Sequence, residues 1–129
     1  MKNDAVTRPT EAELEILQIL WKHGPCTVRF VNDQLNQQRT VGYTTTLKIM
    51  QLMFEKKLVK RDESTRSHLY RSVVKEKETQ GLLLDRFLET AFGGSALKLV
   101  MQALGNHKAS TEEISQIRDL LDNLEGAKK

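Results

Sequence analysis

The sequence predicts a mainly α-helical protein that contains one small β-hairpin. In most segments, apolar residues recur every three or four positions behind residues that can cap a helix. Between residues 58 and 73 the apolar period changes to two, which is typical of β-strands. The 129 residues are 39% hydrophobic and 29% charged, a globular composition of one domain, or of one domain with a helical appendage.

The first two helices are predicted from their caps. A helix is expected over residues 10–23, because Thr10 and Glu13 form a capping box. Gly24-Pro25 then ends this helix. Thr27 can cap a second helix, which fades after about ten residues.

A third helix is predicted from Tyr43 or Thr44 to Lys57, because its length and apolar stripe outweigh the β preference of its threonines. Two strands follow, over residues 58–61 and 68–73, joined by a polar turn. Three helices followed by a hairpin form a winged helix-turn-helix, which is an α+β arrangement.

Beyond the hairpin the pattern is helical again. Gly93-Gly94 interrupts it, Ser95 can cap a short helix, and Ser110 opens a capping box for the last helix. The chain is therefore predicted to contain a winged-helix domain, residues 1–74, and a C-terminal helical domain, residues 75–129.

The C-terminal helices carry more large apolar residues than three short helices can bury alone. We expect them to pair two copies of the chain, the alternative being a private core folded back on the winged domain. The predicted dimerisation residues are Leu83, Leu84, Phe87, Leu88, Phe92, Leu97, Val100, Leu104, Ile114, Ile117 and Leu121.

The positive charge is concentrated in the middle of the chain. Residues 39–71 hold eight basic and three acidic side chains, a net charge of +5. Residues 1–38 and 72–129 each carry a net charge of −1. Clustered cations indicate a polyanionic partner, although a charge cluster alone is often only a solvated surface.

The third helix is predicted to bury one face and to offer the other to a DNA major groove. The inward positions are Tyr43, Thr46, Leu47, Met50, Met53 and Phe54, and the outward ones are Thr44, Thr45, Lys48, Gln51, Leu52, Glu55 and Lys56. An outward Leu52 either contacts a thymine methyl, packs on the N-terminal arm, or means that the helix is rotated. The predicted DNA-binding residues are Arg39, Thr44, Thr45, Lys48, Gln51, Lys60, Arg61, Arg66, Ser67 and His68.

Several classes of function lack support in the sequence. No Ser/His/Asp, Cys/His or phosphate-binding glycine arrangement is present, so the chain is not expected to be an enzyme. Cys26 is alone, and the three histidines have no metal-ligand spacing, so neither a metal nor a cofactor is expected. No apolar run approaches the roughly 18 residues of a membrane span, and the polar N-terminus lacks a secretory signal. We expect a cytoplasmic protein.

Two alternatives remain open. A winged helix can bind protein instead of nucleic acid, because a fold does not determine a function. A DNA-binding regulator could also sense a small molecule between its two domains. The sequence contains no polar cluster that identifies such a ligand.

Combined motifs make the chain resemble the penicillinase-repressor family, which includes methicillin-resistance and copper-transport repressors. The resemblance covers nearly the whole chain and implies homodimeric repressors. It further implies that they bind dyad-symmetric operators through the third helix and the wing and dimerise through the C-terminal helices. The motifs are Thr10-x-Ala12-Glu13-x-Glu15-Ile16-Leu17-x-Ile19-Leu20-Trp21, Gly24-Pro25-x-Thr27-Val28, Tyr43-Thr44-Thr45-Thr46-Leu47, Glu55-Lys56-Lys57-Leu58-Val59 and Phe92-Gly93-Gly94-Ser95.

The chain departs from the family pattern at several positions. Lys57 stands where much of the family has glycine, and Leu52 stands where it often has arginine. The copper-responsive branch has a C-terminal cysteine cluster that this sequence lacks, so copper sensing is not expected. In the antibiotic-resistance branch, a membrane sensor protease triggers cleavage of an Asn-Phe bond that aligns with Gln102-Ala103. Cleavage there, and such a protease as a partner, are therefore left open.

Overall fold

The computed structural model describes residues 8–127. Over these residues six helices and one two-stranded antiparallel sheet follow one another, as predicted for a mainly α winged helix. The described chain divides into two compact units between Leu83 and Leu84. The elements are α1 (Glu11–His23), α2 (Val28–Leu35), α3 (Tyr43–Glu55), β1 (Val59–Asp62), β2 (Leu69–Ser72), α4 (Glu76–Phe92), α5 (Ala96–Asn106) and α6 (Thr111–Ala127).

The predicted caps of α1 and α2 are confirmed. The Thr10 hydroxyl accepts a hydrogen bond from the Glu13 amide at 3.2 Å, and the Glu13 carboxylate accepts one from the Thr10 amide at 2.9 Å. Gly24 ends α1 at a φ of 80°, which favours glycine. The Thr27 hydroxyl accepts from the Phe30 amide at 3.1 Å and so starts α2.

The first unit is built around one apolar core. Side chains from α1, α2, α3 and the hairpin meet there, and each large one stabilises the fold by about 1.5–3 kcal/mol through its burial. Trp21 joins α1 to the chain beyond β2, because its indole N–H donates to the Val74 carbonyl at 3.0 Å. The most deeply buried members of the core are Ile16, Leu17, Val31, Met50, Met53, Leu58, Val59 and Tyr70.

The hairpin pairs Val59 with Ser72 and Asp62 with Leu69 at its two ends. Cys26, which the sequence did not predict to join the sheet, extends it. The Cys26 amide donates to the Tyr70 carbonyl at 2.9 Å, and the Tyr70 amide donates back to the Cys26 carbonyl at 2.8 Å. The start of α2 is thereby fixed against β2.

A network of side-chain amides, centred on the buried Asn32, holds the turn between α2 and α3. The Asn32 side-chain amide donates to the Thr46 hydroxyl at 2.8 Å and to the Val41 carbonyl at 3.1 Å. Asn36 donates to the same carbonyl at 2.8 Å and accepts from the Val41 amide at 3.1 Å. Thr46 is completely buried, so its hydroxyl has this amide as its partner instead of water.

The predicted end of α3 is wrong by two residues. The helix was expected to reach Lys57, but it ends at Glu55 in a Schellman motif. The Leu58 amide donates to the Met53 carbonyl at 2.9 Å, and the Lys57 amide donates to the Phe54 carbonyl at 3.1 Å. This motif places Lys57 at a left-handed φ of 67°. It also moves the start of the first strand from the predicted residue 58 to residue 59.

The second unit follows the predicted order of turns and caps. Gly93 and Gly94 both have positive φ and separate α4 from α5. The Ser95 hydroxyl accepts from the Lys98 amide at 3.2 Å and caps α5. Ser110 and Glu113 form the predicted capping box of α6, with hydrogen bonds of 3.0 and 3.3 Å.

The substitution Lys57→Gly is expected to raise the free energy of unfolding by about 0.5–1 kcal/mol. Glycine adopts the left-handed conformation without the Cβ clash that lysine carries. Urea denaturation at fixed protein concentration measures the change. Lys57→Ala is the control, because alanine removes the charge but keeps the clash. Equal stabilities of the glycine and alanine variants would contradict the strain at this position.

Loss of the amide network should destabilise the first unit. Asn32→Ala leaves the Thr46 hydroxyl buried without its partner, and we expect the free energy of unfolding to fall by about 1–3 kcal/mol. The matched control is Asp33→Ala, an exposed neighbour on the same helix, which should change it by less than about 0.5 kcal/mol. Similar denaturation midpoints for both variants would mean that the network contributes little.

Candidate nucleic-acid interface

The rotation of α3 agrees with the predicted faces at most positions. Thr46, Met50 and Met53 are buried, whereas Thr44, Thr45, Lys48, Gln51 and Leu52 are exposed. Leu52 is 44% exposed, which excludes the rotated-helix explanation for it. The N-terminal arm, residues 1–7, lies outside the described residues, so contact of Leu52 with a thymine methyl or with the arm stays a prediction.

Tyr43 in α3 and Lys56, the residue that caps its end, differ from the predicted faces. Tyr43 was assigned to the inner face, but it is 43% exposed, because it occupies the first position of the helix, a turn before the first buried residue. Its ring lies beneath the Arg29 guanidinium, 5.4 Å from carbon to ring centroid. Lys56 was assigned to the outer face, but it is half-buried, because its ammonium group is 2.8 Å from the buried Glu13 carboxylate.

The first turn of α3 offers free backbone donors. Gly42 is the N-cap and supplies no side-chain hydrogen bond. The amides of the first helical residues therefore lack an intrahelical partner and point out of the helix start. The exposed hydroxyls of Thr44 and Thr45 lie beside them. Such an arrangement favours phosphate or another anion.

The hairpin carries cations on its solvent face. Lys60 lies directly opposite Arg71 in the β-sheet register, and both side chains are exposed. Like charges facing one another destabilise a sheet, so this pair favours an anionic partner over fold stability. In the turn, Arg66 and Ser67 are exposed and His68 is half-buried.

An acidic residue at the base of the turn is committed to local structure. The Asp62 carboxylate accepts a hydrogen bond from the Ser64 amide at 2.9 Å. This bond lowers the pKa of Asp62 below its usual value. The carboxylate therefore stays ionised at neutral pH and shapes the turn that carries Arg66.

Two predicted DNA-binding arginines are held by other groups of the protein. Arg39 is ion-paired with Glu15, whose carboxylate raises the pKa of the guanidinium. Arg61 stacks on the Phe54 ring, 3.9 Å from its centroid, and is ion-paired with Glu63 at 2.6 Å. The Arg61 side chain is only 21% exposed.

The remaining cations of residues 39–71 form no ion pair within the part of the chain that the structure describes. They leave the first unit with five cations that no described carboxylate pairs with. These cations are Lys48, Lys57, Lys60, Arg66 and Arg71.

Arg29 and Arg71 are also exposed and form no ion pair among the described residues, but the sequence did not predict them as site residues. Arg71 was counted in the charge of residues 39–71, and only the strand register reveals its position opposite Lys60. Arg29 lies in residues 1–38, whose net charge is −1. The net charge of that segment therefore gave no sign of a basic site there. The place of Arg29 beside Tyr43 depends on the packing of α2 against α3.

The second unit has apolar side chains but no core of its own. From Leu84 to Gly126 no residue is buried. Half-buried among the predicted dimerisation residues are Leu83, which ends the first unit, and Leu88, Phe92, Ile114 and Ile117 of the second. The other predicted dimerisation residues, Leu84, Phe87, Leu97, Val100, Leu104 and Leu121, are exposed, as are Leu82, Met101, Leu120 and Leu124.

The lone cysteine, Cys26, lies in surroundings that do not activate its thiol. Cys26 is buried, and its thiol donates to the Gly24 carbonyl at 3.1 Å. Burial raises the pKa of this thiol, so little thiolate forms.

Among residues 8–127 no three metal-ligating side chains come together. No helix in that range is long and apolar enough to cross a bilayer. Gln102 and Ala103 are exposed in α5.

Comparison with known proteins agrees with the resemblance found in the motifs. The sequence pattern of the family described as "Penicillinase repressor" matches residues 9–123. The penicillinase repressor of Staphylococcus aureus is 23% identical over 113 residues, which are 88% of this chain and 90% of that protein. The transcriptional regulator BlaI of Mycobacterium tuberculosis is 28% identical over 122 residues, or 93% and 87%.

A third relative is the methicillin resistance regulatory protein MecI of Mammaliicoccus sciuri. It is 20% identical over 113 residues, which are 88% of this chain and 92% of that protein. The match of the family pattern extends from the residue before the α1 cap into α6, and so includes both units. The chain therefore belongs to the penicillinase repressor family, whose members are transcriptional repressors and not enzymes.

Proposed function

We propose that the protein is a homodimeric transcriptional repressor that binds a dyad-symmetric DNA operator. The observation that carries this proposal is the exposed threonine and lysine face of α3 beside a cationic hairpin. Residues 1–74 form the DNA-binding domain in this proposal, and residues 75–129 form the dimerisation domain. A cytoplasmic location is part of the same proposal.

In this proposal α3 enters the major groove. Thr44, Thr45, Lys48 and Gln51 reach base edges and the nearest phosphates, because they occupy the exposed side of the helix. The free amides at the helix start bind a backbone phosphate. Leu52, also exposed, supplies an apolar contact suited to a thymine methyl.

The hairpin lies along the flanking DNA backbone in this proposal. Arg66, Ser67 and His68 in the turn, with Lys60 at the base, contact phosphates and set the orientation of the protein. Arg39 and Arg61 contribute less, because each is already paired with a carboxylate. An unpaired arginine keeps its full charge for the DNA, whereas a paired one must first give up its partner.

Dimerisation is proposed because the second unit cannot bury its apolar side chains alone. Phe87 and Leu97 are 55% and 68% exposed in the single chain. Burial of such a side chain against a partner stabilises the complex by about 1.5–3 kcal/mol. Two winged helices on one dimer bind half-sites about one DNA turn apart, or multiples of that distance.

The same observations give less support to the two alternatives, a protein-binding winged helix and a regulator that senses a small molecule. A protein-binding winged helix does not need the unpaired cations on α3 and the hairpin. A small-molecule sensor is not distinguished from the proposed repressor by its DNA interface and would differ only in the releasing signal. Cleavage at Gln102-Ala103 by a sensor protease is not part of the proposal, because neither residue matches the Asn-Phe bond of the antibiotic-resistance branch.

The DNA interface is tested with a duplex that the wild-type protein selects from a random library. Lys48→Ala and Arg66→Ala are each expected to weaken binding by about 1–3 kcal/mol, because each removes a phosphate or base contact. Thermal stability should stay nearly unchanged, since both side chains are exposed. The matched control is Lys108→Ala, a lysine exposed between α5 and α6.

Fluorescence anisotropy over a salt series separates DNA binding from the protein-binding alternative. The logarithm of the wild-type association constant should fall linearly with the logarithm of salt concentration, with a slope of about −0.9 per neutralised phosphate. Wild-type affinity retained by Lys48→Ala in moderate salt would contradict the assignment of α3. Binding indifferent to salt would favour a protein partner.

The dimer is tested by the substitution Leu97→Glu and sedimentation at micromolar concentration. We expect wild type to sediment as a dimer and the variant to shift towards monomer, because a charge would have to be buried in the interface. Leu97 is exposed in the single chain and is not part of the apolar core of the first unit, so the substitution should leave that unit folded. Gln116→Glu adds the same charge at an exposed polar position and should remain dimeric. A monomeric wild type would refute the proposal.

A further inference from the structure

The first unit contains an open groove of about 370 Å³ between the start of α2, the start of α3 and the turn of the hairpin. Arg29 lies on the α2 side, Tyr43 on the α3 side, and Arg66 and His68 on the hairpin side. Val28 and Tyr70, which are buried, also contribute to its lining. The groove therefore joins basic side chains from two separate elements to apolar walls.

A second groove in the same unit shows that this charge pattern is not general. That groove, of about 330 Å³, includes Glu15, Lys22 and His23 among its lining residues. A carboxylate is therefore part of that lining, although Glu15 is ion-paired with Arg39 and not with Lys22. The first groove has no carboxylate among its lining residues, although it is similar in volume. Of the two, only the first has the electrostatics of an anion site.

The Arg29 guanidinium is oriented by an aromatic ring and can still bind an anion. It lies over the Tyr43 ring at 5.4 Å, and it forms no ion pair among the residues that the structure describes. Stacking on an aromatic ring restrains a guanidinium while leaving its N–H groups free. A planar guanidinium with free donors matches two oxygens of one phosphate group.

The groove adjoins the face of α3 that is proposed to read bases. Tyr43 and Leu47 line the groove, and Thr44 and Lys48, the next residue after each, are exposed. Successive helical residues differ by about 100° around the helix axis. A group in the groove therefore lies at the border of the major-groove face, where the sugar-phosphate backbone of one strand would run.

We infer that this groove binds a backbone phosphate of the operator, with Arg29 as its principal ligand and Tyr43 as the platform that orients Arg29. Arg66 and His68 face the same phosphate from the hairpin. The inference rests on the proposed function and adds to it a contact from α2. Arg29 would bind the DNA backbone between α3 and the hairpin, the two elements already proposed to contact DNA. The proposed ligand is a phosphodiester group, so this contact would not depend on the base sequence of the operator.

The test compares Arg29→Ala with Lys22→Ala on the library-selected duplex. Both variants remove one positive charge from an exposed position, but Lys22 belongs to the second groove. We expect Arg29→Ala to bind about tenfold more weakly and to lower the magnitude of the salt slope by about 1. Lys22→Ala should match wild type in both. Tyr43→Leu keeps the charge, so it should weaken binding a few-fold with an unchanged slope.

Single methylphosphonate substitutions along the duplex locate the phosphate. One neutralised position should weaken wild-type binding about tenfold and weaken Arg29→Ala much less, because the principal contact to that phosphate is already gone and only Arg66 and His68 still face it. Melting temperatures verify that each variant is folded. If Arg29→Ala and Lys22→Ala bind with the same affinity and the same salt slope, the inference is wrong. In that case, a steep salt slope of the wild type and weaker binding by Lys48→Ala would still support the proposed function. A wild type without salt dependence would overturn both.

Discussion

A buried hydrogen bond of 2.8 Å from the Asn32 side-chain amide to the Thr46 hydroxyl fixes the rotation of α3 about its axis. Apolar packing alone tolerates small rotations of a helix, whereas a buried polar pair is directional and costly to leave unmade. With Thr46 directed at α2, the 100° step of a helix leaves Thr44, Thr45 and Lys48 on the outside. The polar face that the proposed repressor presents to DNA thus depends on an amide on the preceding helix.

The first unit accepts some loss of stability around this face. Lys57 adopts a left-handed backbone conformation that costs a non-glycine residue about 1–2 kcal/mol. Lys60 and Arg71 repel each other across the hairpin. Both costs fall on the segment between α3 and the end of β2, where unpaired cations accumulate. The residues of this segment therefore favour the binding of an anion at some cost in the stability of the fold.

The sequence predicted the elements of the fold well because most of their ends are set by local chemistry. The caps at Thr10 and Thr27 use hydrogen bonds within four residues, so a short pattern contains the whole interaction. Tertiary packing, which no local pattern encodes, determines the strand contact of Cys26 and the stacking of Arg29 on Tyr43. The early end of α3 was missed because its Schellman motif lacks the usual glycine. The charge cluster was visible, but not which of its members had partners.

The absence of a buried residue between Leu84 and Gly126 has a consequence for how the proposed repressor would respond to its own abundance. If these helices complete their apolar core only in the dimer, their folding is coupled to association, and their stability depends on protomer concentration. At dilution the population able to occupy both half-sites would fall with the square of the protein concentration. A modest decrease in synthesis would then empty the operator more sharply than for a monomeric regulator, without any inducer.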